Sequence, residues 1–67
     1  MDNIYKQKLY ISKMYECIDN NDIDNFIYYF NEWHLIASLS DEQIQLDDEI
    51  KQYAKNNCIE QYNMYYD

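Results

Sequence analysis

His34 is the single imidazole of this chain, and with Glu32 two residues before it the sequence holds the residue types from which a general base or a metal ligand is made. A catalytic pair also needs a nucleophile or second base at usable spacing. None accompanies His34, which falls on the inner edge of the most apolar stripe in the sequence. A packed, hydrogen-bonded histidine is the expectation, and no catalytic residue is assigned. The run Asp19-Asn20-Asn21-Asp22-Ile23-Asp24-Asn25 offers oxygen ligands at alternate positions, as a calcium loop does. Counted from Asp19, however, the fifth position is Ile23, the sixth is Asp24 in place of Gly, and the twelfth is Phe30 in place of Glu. A capped turn is the better reading. Cys17 and Cys58, the only cysteines, lack zinc-ligand spacing with each other or with His34. No metal and no cofactor is expected.

Carboxylates dominate the rest of the chemistry. From Glu16 to Glu49 the chain carries Glu16, Asp19, Asp22, Asp24, Glu32, Asp41, Glu42, Asp47, Asp48 and Glu49 without one Lys or Arg, and the formal net charge is −8. Direct contact with nucleic acid is disfavoured by that charge, whereas attraction to a protein with a basic, nucleic-acid-binding surface is favoured. Acids near helix starts also complement the helix dipole, which would account for Asp22, Asp24, Asp41 and Glu42. It does not account for Asp47-Asp48-Glu49, three adjacent like charges of which only Asp47 has a lysine, Lys51, four residues on.

Leu46-Asp47-Asp48-Glu49-Ile50 resembles a segment of the helical-hairpin aspartyl-phosphate phosphatases of sporulating bacteria, whose signature places a Ser four residues before an Asp. Asp47 matches that Asp, and Gln43 stands at the Ser position. The resemblance implies a phosphatase-like regulator acting through Asp47, a reading placed third here. Glu16 to Asp24 is similar to the inter-helix segment of an ankyrin repeat, without the repeat's Gly and Thr-Pro-Leu-His signatures.

The elements that must position these residues are helices. Gly and Pro are absent, so tight-turned sheets are hard to build and helices meet no internal breaker. Ile4, Ile11, Met14, Tyr15 and Ile18 share one side of a first helix from Asn3 to Ile18. Asp19-Asn20-Asn21-Asp22 reads as a turn, with Asn21 or Asp22 capping the next helix. Ile23, Phe26, Ile27, Phe30, Trp33, His34 and Ala37 then form the strongest amphipathic stripe, ending at Ser38-Leu39-Ser40. Ser40 with Gln43 fits a capping box, and Leu39 with Ile44 a hydrophobic staple, which predicts a third helix from Asp41. Its buried stripe, Leu46, Ile50, Tyr53 and Ala54, breaks at Asn56-Asn57, where a kink or a separate short terminal helix is expected. The fold class that follows is all-α: one domain, a small three-helix bundle with a short fourth C-terminal helix as the variant.

On such a third helix, Asp41, Glu42, Gln45, Asp48, Glu49 and Gln52 would make one anionic ridge, with Asp24 on the outer side of the second helix. That ridge is the first candidate binding face. The second is aromatic: nine Tyr cannot all be buried by 67 residues, and Tyr62, Met64, Tyr65 and Tyr66 form the expected exposed patch, with Tyr5 and Leu9 as another. A homodimer through such faces would also relieve the marginal core of so short a chain.

No secretory signal precedes the cysteines, and the longest apolar runs are far below the roughly 20 residues of a membrane span, so a cytoplasmic protein with reduced thiols and no membrane contact is expected. Arg, Gly, Pro, Val and Thr are missing while Ile, Asn and Tyr abound, the vocabulary of an AT-rich gene. Phage or mobile-element origin fits that vocabulary. The expected function is that of a small acidic inhibitor, of anti-CRISPR or anti-restriction type, whose carboxylates mimic nucleic acid in the host cytosol. The alternative is a homo-oligomeric assembly protein using its Tyr faces.

Overall fold

The computed structural model describes residues 3–66, and they form α1 (Asn3–Asn20), α2 (Ile23–Ser38), α3 (Asp48–Asn57) and α4 (Ile59–Tyr66), with no strand among them. α1 and α2 are a helical hairpin: two residues separate them, and Tyr10 meets Tyr29 with ring centroids 5.8 Å apart. The turn needs a residue in the left-handed region, and Asn21 supplies it at φ 52°. Asn is the residue after Gly that tolerates this conformation best. The Asp22 N–H donates to the Cys17 carbonyl at 2.8 Å and the Asn21 N–H to that of Ile18 at 3.1 Å, the paired bonds that close a helix C-terminus. Asp22 then caps α2 by accepting the Asn25 N–H at 3.3 Å. The expected cap at Asp22 holds, whereas α1 runs to Asn20, two residues beyond its expected end at Ile18 and into the expected turn.

The core is built around α2. Phe26, Phe30, Trp33 and Ala37 are buried at helical spacing, and Met14 and Cys17 from α1, Leu46, and Ile50, Ala54 and Cys58 from the second half of the chain close over them. Each fully buried Phe, Met or Ile stabilises the fold by about 1.5–3 kcal/mol. Tyr53 of α3 packs its ring on Phe26 at 4.8 Å and donates its hydroxyl to the Asn21 side chain at 3.0 Å, so α3 is tied to the hairpin turn. α3 stops at Cys58, whose N–H donates to the Ala54 carbonyl, and the Asn57 amide donates to the Tyr53 carbonyl. α4 starts directly afterwards. The break expected at Asn56-Asn57 is therefore a junction between two helices.

The predicted start of the third helix is corrected. α3 begins at Asp48, and residues 39–47 are an irregular segment. Ser40 and Gln43 do not form a capping box. The Ser40 hydroxyl donates to the Ile36 carbonyl at 2.7 Å and the Gln43 amide to that of Ala37 at 3.0 Å, so both finish α2 where a chain without Gly has no glycine cap. The staple does not form either, because Leu39 is 73% exposed. The deciding residue is Gln7, fully buried on α1 at 0% exposure. Its amide donates to the Glu42 carbonyl at 2.9 Å and accepts the Ile44 N–H at 2.9 Å. In a helix a carbonyl and the N–H two residues on point toward opposite ends of the axis, so one side chain cannot meet both. Gln7 thus pairs with the segment as a neighbouring strand would, which excludes helix there.

Candidate functional site

The anionic ridge expected on one helix is divided between two kinds of backbone. Asp48, Glu49 and Gln52 lie on α3, all exposed, while Asp41, Glu42 and Gln45 lie on the segment held by Gln7, also exposed. Asp24 is exposed in the first turn of α2, at the opposite end of that helix from the segment. The six residues from Asp41 to Gln52 thus form no single helical stripe, because residues 39–47 are irregular and Glu42 and Ile44 are tied to Gln7. What survives is a run of chain in which carboxylates flank a stretch of apolar and amide residues.

Asp47 was the carboxylate with a specific chemical precedent, and it has a structural task. It accepts the Tyr15 hydroxyl from α1 and makes no cap bond to α3. That hydrogen bond, with burial and the charges of Asp47 and Glu49, pushes the Tyr15 phenol up to about 12. Apart from Asp47, the acids from Asp41 to Glu49 have no hydrogen-bonded or ionic partner for their side chains among the described residues. Among the described residues the one ion pair joins Lys13 and Glu16 at 3.9 Å.

The aromatic patch is exposed at Met64, Tyr65 and Tyr66 and partly buried at Tyr62, and its tyrosine rings also make contacts with α2. The Tyr65 ring stacks on His34 at 3.9 Å and 10°, and its hydroxyl donates to the Asn31 side chain at 3.0 Å. Tyr66 meets Phe30 at 6.4 Å and hydrogen-bonds His34, and Tyr62 packs on the core and lies 5.1 Å from Tyr66. These rings hold α4 to α2, since α4 has no fully buried residue of its own. Met64 is the most exposed member of the patch at 70%, with Tyr65 and Tyr66 at 37% each. Tyr5 and Leu9 are exposed, as expected.

His34 is packed and hydrogen-bonded as its position on the stripe predicts. Its Nδ1 lies 2.7 Å from the Phe30 carbonyl, which only accepts, so Nδ1 carries the proton. Nε2 is then bare and accepts the Tyr66 hydroxyl at 2.8 Å. Burial pushes the imidazole below its ordinary value, only partly opposed by the Phe30 carbonyl. The unfolded chain therefore takes up a proton at higher pH than the folded one. Stability attributable to His34 is complete above the ordinary histidine value of about 6.5 and is lost as pH falls through the lower folded value. Acidification also relieves the acidic surface, so the contribution is read by difference: the stability gap between wild type and His34→Gln is expected to shrink from pH 7.5 to pH 5.0 in urea titrations.

One open groove of about 510 Å³ lies where α2, the segment 43–46, Lys51 of α3 and the end of α4 converge. Trp33, Ala37, Ile44 and Leu46 give it an apolar lining, and His34, Gln43, Gln45, Lys51 and Tyr66 bring polar groups. The Lys51 ammonium sits 5.3 Å from the centre of the Tyr66 ring. Trp33 is 5% exposed, and its indole N–H is a buried donor without a partner among the described residues. Unpaired buried donors are uncommon in folded proteins. The groove was not legible in the sequence, because it arises from the extended course of residues 43–46. Gln7 was equally missed, although it lies seven residues before Met14 on the buried side of α1 and its polarity there was a signal.

Cys17 and Cys58 are free and buried, with burial pushing both thiols up. Among the described residues no group of three His, Cys, Asp or Glu could hold a metal ion, and no helix is long and apolar enough to cross a membrane. Fold and surface together define an all-α bundle with an acidic, largely unpaired surface and one apolar groove. Comparison with protein-family models, with curated proteins and with solved structures finds no match to this chain.

Proposed function

We propose that this protein works by binding, as a small acidic regulator that offers carboxylates to the basic surface of a nucleic-acid-handling protein and so competes with nucleic acid for it. The observation that carries this reading is that Asp41, Glu42, Asp48 and Glu49 are all exposed and none has an ionic partner among the described residues, in a chain of net charge −8. Such charges repel one another in the free protein and gain energy when a cationic surface covers them. The rigid hold of Gln7 on Glu42 and Ile44, and of Tyr15 on Asp47, fixes the backbone that bears them, which lowers the ordering cost of association. Composition adds the setting: an AT-rich gene encoding a short acidic protein fits a phage or plasmid inhibitor acting in the host cytosol, of anti-CRISPR or anti-restriction type.

The test is capture from a lysate of the host with tagged protein, eluted in steps of rising salt and identified by mass spectrometry. The expected result is a DNA- or RNA-binding protein released at moderate salt, because exposed ion pairs are screened. Recovery of the protein alone, stable in about 0.5 M salt, would replace this reading with self-association through apolar faces.

A further inference from the structure

The groove beside the acidic segment is built to take a side chain, and the charges next to it say which kind of partner brings that side chain. Residues 43–46 form one wall, Asp41 and Glu42 precede them directly, and Asp47, Asp48 and Glu49 follow directly. The floor is apolar and aromatic, and the volume of about 510 Å³ lies within the range of about 300–1,000 Å³ found for specific ligand pockets. Trp33 lines it, and its buried indole N–H has no acceptor among the described residues. Leu35, on the same wall, is more than half exposed and remains uncovered. Buried apolar surface, an unanswered donor and flanking unpaired carboxylates thus meet at one place.

We infer that this groove receives an aromatic or large apolar residue of an extended basic segment on the partner protein, with the lysines or arginines on either side of that residue meeting Asp41, Glu42, Asp48 and Glu49. The inference rests on the acidic-surface reading above and deepens it by naming what is recognised. The anchor residue supplies the apolar burial, and the flanking cations supply orientation and rate. Lys51, its ammonium 5.3 Å from the centre of the Tyr66 ring, is the one cation lining the groove and is outnumbered by Asp41, Glu42, Asp48 and Glu49.

The chain has one Trp, so its indole N–H gives a single resolved signal in a nitrogen–proton correlation spectrum. The probes are the blocked peptides Lys-Lys-Phe-Lys-Lys, Lys-Lys-Ala-Lys-Lys and Glu-Glu-Phe-Glu-Glu, titrated at about 0.1 M salt, where surface charges still interact. Expected is a saturable shift of the Trp33 indole signal with the first peptide, binding about tenfold weaker with the second, and none with the third. Two substitutions at exposed groove residues, Ser38→Phe to fill it and Leu35→Lys to repel a basic segment, should each lower affinity for the first peptide by a similar factor while the circular dichroism stays unchanged. If both lysine peptides bind alike, leave the indole signal unmoved and weaken when the four acids are neutralised, the groove proposal falls and the acidic-surface reading stands. If both phenylalanine peptides bind the groove alike and neutralising the acids changes nothing, both fall. If no peptide binds, the groove proposal falls and the capture experiment alone decides the reading.

Discussion

Replacing Gln7 with Leu is expected to destabilise the protein by about 2–4 kcal/mol, because the Glu42 carbonyl and the Ile44 N–H each lose their partner at about 1–3 kcal/mol apiece. Leu nearly conserves the volume, so the loss isolates the hydrogen bonds from a cavity effect. For a domain of this size a kcal/mol moves the melting temperature by about 4–8 °C, so the midpoint should fall on the order of 10–25 °C. Thermal melts at neutral pH measure it. The effect should also be local: the Ile44 amide, protected in the wild type, should exchange rapidly in the variant while amides in the middle of α2 keep their protection under conditions where the protein is still folded. A midpoint within 3 °C of wild type would show that segment 39–47 is held by other contacts. A related substitution, Gln7→Glu, should be worse above the carboxylate range, since a buried carboxylate cannot donate to the Glu42 carbonyl and faces it with like polarity.

Neutralising Asp41, Glu42, Asp48 and Glu49 together, as Asn or Gln, should abolish function while leaving the fold intact. Those substitutions remove four of the net eight negative charges. If each carboxylate meets one cation at a solvent-exposed contact worth about 0.2–1 kcal/mol, the four together amount to about 1–4 kcal/mol, a loss of partner affinity from about fivefold to several hundredfold. Against the fold the balance is near zero. Asp48 and Glu49 complement the dipole of α3 from its first turn, each worth about 0.3–1 kcal/mol, but all four repel one another and Asp47, which offsets that gain. Capture of the partner at low salt, compared between wild type and the variant after matching their melting temperatures, gives the answer. Unchanged capture would remove the acidic surface as the working part of the protein.

How far the sequence led can be seen at three residues. Asn21 was legible as part of a turn because local chemistry settles it: an amide side chain in the left-handed region needs no help from the rest of the fold. The α2 stripe was legible for the same reason, since Phe26, Phe30, Trp33 and Ala37 advertise a buried face by spacing alone. Ser40 misled. Its pairing with Gln43 fits the start of a helix, yet the same two side chains serve equally well to end one, and the choice between them was made by Gln7, more than thirty residues away. A contact of that kind leaves no periodic trace. The candidate site suffered the same way: the acids were visible as charges, but their placement, and the groove between them, depend on an extended course that tertiary hydrogen bonds impose. Tyr65 and Tyr66 were legible as exposed by counting rings against a small core, whereas their contacts with His34, more than thirty residues away, were not.

Four tyrosine hydroxyls join parts of the chain at least 32 residues apart: Tyr15 to Asp47, Tyr53 to Asn21, Tyr65 to Asn31 and Tyr66 to His34. Each acts as a donor, and a phenolate has nothing to donate. The folded phenols of Tyr15, Tyr53 and Tyr66 all lie above the ordinary value, Tyr15 at about 12, so the neutral form is what the fold prefers. A raised folded value means that this stabilisation is complete below the ordinary phenol value of about 10 and is lost as the solution rises through the folded ones. The alkaline limit on this fold is therefore phenolic: an acidic molecule in net charge, it loses these four ties where its tyrosines become anions.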